Sequence, residues 1–109
     1  MKTGIELIAE ERKRQIEVEG YSEQHDLHHS PRKLIQAADT YLESADLTLH
    51  SKDFSPSSTW HQTNLPFYLN EIKRNWPWEE ESFKPTTDIR DLVKAGALIA
   101  AAIDRLQME

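Results

Sequence analysis

The sequence predicts an all-α fold, and three observations carry that expectation. Apolar residues recur at helical spacing in the first, second and last parts of the chain. Helix-start signals precede each part: Thr3 with Glu6, Ser30 with Pro31, and Thr86 or Thr87. No segment alternates apolar and polar residues as a half-buried strand does. The 109 residues suit one domain spanning 1–109, a compact bundle of about four helices with a long middle loop.

The first helix is expected from about Gly4 to Glu19, where Gly20 supplies a stop. Its inward stripe reads Ile5, Ile8, Ala9, Arg12 and Ile16, with Arg12 interrupting four apolar residues and Glu11, Gln15 and Glu19 along one edge. A polar patch beside a buried face needs partners, and such breaks of pattern often mark sites. Residues 21–29 read as a loop rich in possible ligands. A second helix follows Ser30-Pro31 to about Ala45, with Leu34, Ala37, Ala38, Tyr41, Leu42 and Ala45 inward. Residues 46–64 show no period and read as the long loop. A short helix is expected within Leu65–Asn75, with Leu69 and Ile72 inward. The last helix runs from about Asp88 to Gln107 and is apolar nearly all round; Leu92, Ala95, Gly96, Ile99, Ile103 and Leu106 form its expected core face. A helix of that composition is buried on several sides, centrally or in an interface between copies, so a homodimer or higher homo-oligomer is expected.

Composition excludes several functions. There is no cysteine, so neither a disulfide framework nor thiolate chemistry is available. No stretch approaches the roughly 18 apolar residues of a membrane span, and Met1–Glu6 lacks the features of a signal peptide, so a cytoplasmic protein is expected. A net charge of −6 opposes bulk binding to nucleic acid, which needs clustered cations. It does not oppose a small anionic ligand held by a few local cations or through a divalent metal.

Acidic metal chemistry has candidates. Glu10 and Glu11 lie on the first helix, and Asp88 and Asp91 stand three apart on the last. That spacing points both carboxylates to one side of a helix. Two helices facing each other with such groups can hold Mg²⁺ or Mn²⁺ through oxygen. The competing roles are helix capping for Asp88, a surface ion pair for Glu10, and a buried structural ion pair for Arg12 with Glu11, Glu19 or Asp26. Tyr41, Trp76, Trp78 and Phe83 can stack a base or simply fill the core. Structural zinc is poorly supported, because His25, His28 and His29 lack a matching pair elsewhere.

Two stretches carry a family resemblance. The first joins Leu7-Ile8-Ala9-Glu10-Glu11-Arg12-Lys13-Arg14-Gln15-Ile16, Glu19-Gly20-Tyr21, His25-Asp26 with His29, and Ala37-Ala38 with Tyr41. The second joins Trp76-Pro77-Trp78, Lys84-Pro85 and Asp91-Leu92-Val93-Lys94-Ala95-Gly96-Ala97-Leu98-Ile99. Together they resemble the MazG-like all-α nucleotide pyrophosphohydrolases, including phage dATP/dGTP diphosphohydrolases. The resemblance spans most of the chain except residues 46–64. It implies an often dimeric bundle that hydrolyses a purine (deoxy)nucleoside triphosphate to monophosphate and pyrophosphate with Mg²⁺ or Mn²⁺. Carried over by position, Glu10, Glu11, Asp26, Asp88 and Asp91 are the expected metal ligands. Glu11 and Asp91 are the expected catalytic acids, and Arg12, Arg14, Gln15, His25, Lys33, Trp78, Lys84 and Lys94 the expected nucleotide contacts.

The departures from the family pattern all remove acid. Gln24 and Leu27 replace two acids of the loop, Arg32-Lys33-Leu34 stands where Gly-Glu-Leu is usual, and Ala102 precedes Ile103-Asp104-Arg105-Leu106 where the family carries Glu. A lysine in place of a metal carboxylate can neutralise phosphate directly. The alternative function is therefore a catalytically impaired phage-type binder that sequesters a nucleotide or nucleotide signal. The two readings differ in how many carboxylates, against how many cations, face one cavity.

Overall fold

The computed structural model describes residues 1–17 and 30–108. Helix α1 spans Gly4–Glu17, α2 Pro31–Ser51, α3 Leu65–Lys73 and α4 Asp88–Gln107. A π-helical turn, Trp60–Asn64, leads directly into α3, and a 3-10 turn, Glu80–Ser82, precedes α4. There is no strand among the described residues. The chain is an all-helical bundle, and no described helix is long and apolar enough to cross a membrane.

The start signals act as the sequence implies. The Glu6 N–H donates to Thr3 Oγ1 at 3.2 Å, and the Thr3 N–H donates back to Glu6 at 3.1 Å, closing a capping box. Ser30 Oγ accepts from the Lys33 N–H ahead of Pro31, and Thr87 caps α4 by accepting from the Arg90 N–H. The expected end of the first helix at Glu19–Gly20 and the ligand-rich loop lie outside the described residues.

Helices α2 and α4 form the centre and run antiparallel. Near the start of α4, Ser44 donates to Asp91 at 2.9 Å and Lys52 pairs with Asp88 at 2.7 Å. At the other end, Ile35 and Leu106 share a hollow. Leu34, Ala37, Ala38 and Tyr41 of α2 join Ala95, Leu98, Ala101 and Ala102 of α4 in the core. Trp76 and Phe83 close one end against Tyr41, with ring centroids 5.3 and 5.0 Å away. Helix α3 packs on α2 through Ile72, while α1 lies across α4.

Four expectations need correction. Helix α2 continues to Ser51, so the long loop shrinks to residues 52–59. Thr48 Oγ1 donates to the Ser44 carbonyl and Ser51 Oγ to the Thr48 carbonyl. These hydroxyls bond back onto the helix rather than breaking it. In α4 the buried face is Val93, Ala95, Ala97, Leu98, Ala101 and Ala102, whereas Leu92, Ile99, Ile103 and Leu106 are exposed. Small residues let α1 and α2 approach closely, and the large ones are left outside. In α1 the buried residues are Glu11, Arg12 and Gln15, with Ile8 half-buried; Ile5 and Ile16 face outward. Leu42 and Leu69 are also exposed.

The crossing of α1 over α4 depends on Gly96. A Cβ there would lie 2.5 Å from Ile8 Cδ1 and 2.8 Å from Cγ1. Ile8 is β-branched and has little freedom to move aside. Gly96→Val therefore lowers the free energy of unfolding by about 1–3 kcal/mol, the usual cost of overpacking. Urea denaturation measures it, and an unchanged midpoint means that α1 is not seated on Gly96.

Candidate functional site

A cleft of about 610 Å³ opens between α1, the start of α4 and the segment joining α3 to α4. Three elements supply its charge. Helix α1 contributes Glu11, Arg14 and Gln15, the connection contributes Lys84, and α4 contributes Arg90 and Lys94. Thr87, Arg90, Lys94 and Leu98 line it at spacings of three and four, so one face of α4 forms a wall. Tyr41, Trp76 and Trp78 supply the aromatic side.

Glu11 organises the charge. Its side chain is 1% exposed, and both oxygens are engaged. Arg14 donates through Nε and Nη2 at 2.9 and 2.7 Å, a bidentate pair. Arg90 Nη2 pairs with Glu11 Oε1 from α4, and Gln15 Nε2 donates to Oε2 at 3.3 Å. Burial pushes the Glu11 carboxyl up, but the hydrogen bonds and charges of Arg14 and Arg90 outweigh it and hold it below the ordinary carboxylate value.

Lys94 is half-buried. Its Nζ donates to the Lys84 carbonyl at 2.6 Å and sits 5.4 Å from the centre of the Tyr41 ring. Burial pushes the ammonium below its ordinary value. An anion in the cleft would oppose that shift. The Lys84 ammonium is exposed at the rim, and its backbone N–H donates to the Tyr41 hydroxyl at 3.0 Å. Among the described residues, four cationic side chains thus line the cleft with one carboxylate, whose two oxygens are already engaged by two of them.

The other expected acids stand elsewhere. Asp91 is completely buried behind the cleft, where it accepts from Ser44 and from the Thr86 N–H at 2.8 Å. It ties α2 and the α4 entry together. Asp88 accepts from Lys52 and from the Ile89 N–H. Lys52 first, then that N–H, holds its carboxyl below the ordinary value. Glu10 is exposed and paired with Lys2 at 2.7 Å. Asp26 and His25 lie outside the described residues. Among the described residues no three acidic or histidine side chains converge on a point. The described side chains alone do not fit a Mg²⁺ or Mn²⁺ site, which needs carboxylate oxygens that guanidinium and hydroxyl groups have not claimed.

Of the expected nucleotide contacts, Arg14, Gln15, Trp78, Lys84 and Lys94 line the cleft. Arg12 and Lys33 do not. Arg12 is buried and reaches Asp104 of α4 at 3.4 Å; of the three acids that the sequence suggested for it, Glu19 and Asp26 lie outside the described residues. Lys33 borders a shallow hollow with Arg32, Ile35 and Gln36. Arg90 was missed, although it carries a signal. A cation in the first turn of a helix opposes the macrodipole, and a residue that breaks that rule invites a search for its counter-charge. Of the aromatic candidates, Tyr41 and Trp76 serve both the core and the cleft, and Phe83 only the core.

The Glu11 clamp sets a pH dependence. A carboxyl depressed in the folded state adds stability above its unfolded value and loses it as the pH falls through the folded value. The loss begins near the ordinary value of 4.5 and is complete only below the depressed one. Urea unfolding followed from neutral to acid pH should show Glu11→Gln losing less stability over that fall than the parent. Equal losses would mean that the Arg14–Glu11–Arg90 clamp does not form.

Comparison of the chain with protein-family models, curated proteins and solved structures returned no match in any of the three.

Proposed function

We propose that the protein binds a small nucleotide in the α1–α4 cleft and holds it without hydrolysis, acting as a sequestering binder. One observation carries this reading: among the described residues, Arg14, Lys84, Arg90 and Lys94 line a cleft with one carboxylate, and two of them already engage it. Guanidinium and ammonium groups so placed suit phosphate oxygens directly. The Tyr41–Trp76–Trp78 side offers ring faces and edges to a base. Together they favour a ligand with several negative charges and a flat aromatic part.

Hydrolysis after the MazG-like manner needs carboxylates that hold metal and orient water. Glu11 and Asp91, the expected catalytic acids, have every oxygen engaged within the protein. The geometry therefore favours binding over turnover. The lack of cysteine suits a reducing compartment such as the cytoplasm.

Calorimetry with purine and pyrimidine triphosphates, with Mg²⁺ and with a chelator, tests the reading. Binding should persist in chelator, and chromatography should return the nucleotide intact. Metal-dependent release of pyrophosphate would replace this reading with the hydrolase. Lys84→Ala should weaken affinity about fivefold or more at an unchanged unfolding midpoint, since its side chain is exposed at the rim. Lys33→Ala should leave affinity untouched.

We also place a second copy of the chain on the outer face of α2 and α4. Ile35, Leu42, Ile99, Ile103 and Leu106 border one hollow there and are all exposed. Ile35 and Leu42 lie seven apart on α2, as Ile99 and Leu106 do on α4, which is the spacing of a helix–helix seam. Sedimentation should give a dimer, and Ile103→Asp a monomer. A parent protein that is monomeric at every concentration removes this interface.

A further inference from the structure

Gln15, on the cleft wall, carries a polar atom that the described residues leave unused. Gln15 is 4% exposed and lines the cleft. Its amide has a fixed orientation. Nε2 donates to Glu11 Oε2, and turning the amide over would set an oxygen against a carboxylate. Oε1 is thereby left as a buried acceptor with no donor among the described residues. Buried polar atoms without partners are uncommon, and each asks for an explanation.

The nearby charged groups of the cleft, Arg14 and Arg90, donate to Glu11. Gln15 is one hydrogen bond from Glu11, and Glu11 one from each guanidinium. The vacant acceptor therefore adjoins the place where a phosphate would be held. In a nucleoside phosphate the group nearest the phosphate that can donate a hydrogen bond is a sugar hydroxyl.

We propose that Gln15 is a specificity-determining residue that accepts a hydrogen bond from a ribose hydroxyl, so that the cleft prefers ribonucleotides to deoxyribonucleotides. This rests on the nucleotide reading above and narrows it. It also runs against the deoxynucleotide substrates that the family resemblance implies. Seating the hydroxyl requires the Gln15 side chain to shift toward the cleft while Nε2 keeps its carboxylate. The discrimination follows from absence: a deoxy ligand leaves Oε1 buried and unpaired, whereas a ribose satisfies it.

The test compares inorganic triphosphate with ATP and its 2′-deoxy and 3′-deoxy counterparts, by calorimetry on the parent protein and on Gln15→Met. The parent should bind ATP about tenfold more tightly than at least one deoxy form, a difference of about 1.4 kcal/mol. Gln15→Met should show no preference among the three nucleotides, whatever its affinity for inorganic triphosphate. If the variant fails to fold, the parent's own ratio decides. Equal affinity of the parent for all three nucleotides overturns the Gln15 proposal and leaves nucleotide binding standing. A preference kept in Gln15→Met also overturns it. Binding of neither triphosphate nor any nucleotide overturns both readings.

Discussion

A carboxylate buried between two helices must be paired, and Glu11 is paired from both. Arg14 reaches it along α1 and Arg90 from across the interface on α4. One group thus fastens α1 to the bundle and decides which way two guanidiniums face. Without Glu11 the same two cations would lose the carboxylate that both engage. With it, both are held at the cleft wall beside Lys94. The fit of Ile8 over Gly96 makes this possible, because it brings α1 close enough for a hydrogen bond between side chains of different helices.

Asp91 has the matching role deeper in the bundle. It joins Ser44 on α2 to the Thr86 backbone before α4. The entry to α4 is thereby fixed relative to α2, and Arg90 and Lys94 follow from the register of α4. The resemblance marked Glu11 and Asp91 as chemical groups, and both are indeed central. Their partners decide the role. Glu11 accepts from two guanidiniums, and Asp91 from a hydroxyl and an amide, so each joins separate parts of the bundle.

The helices were legible where local chemistry decides them. Caps at Thr3, Ser30 and Thr87 act within four residues, so the sequence holds the whole interaction. The extension of α2 to Ser51 was not legible, because Thr48 and Ser51 favour either a turn or a back-bonded helix, and tertiary packing chooses. The faces of α4 were misread for a related reason. A helix that is apolar all round has no polar side to mark the outside, so periodicity cannot tell Leu98, which is buried, from Ile99, which is not. In the cleft, Arg14, Gln15, Lys84 and Lys94 were found through the motif, but Lys33 was carried over by position alone. Its ammonium stands among Arg32, Ile35 and Gln36 instead.

The charge of the protein bears on the size of the ligand. The chain as a whole carries −6, yet the cleft wall is cationic. At physiological ionic strength fields are screened over about 8 Å. A ligand small enough to sink into the cleft lies within that distance of Arg14, Arg90 and Lys94, and feels mainly them. A polymer with phosphates at regular intervals would lay most of its charge along the acidic exterior, where Glu79, Glu80 and Glu81 stand exposed. On the nucleotide proposal, the same distribution would favour a single nucleotide over a nucleic acid strand. Selectivity for the small anion needs no contact that recognises length, because the surrounding surface supplies the exclusion.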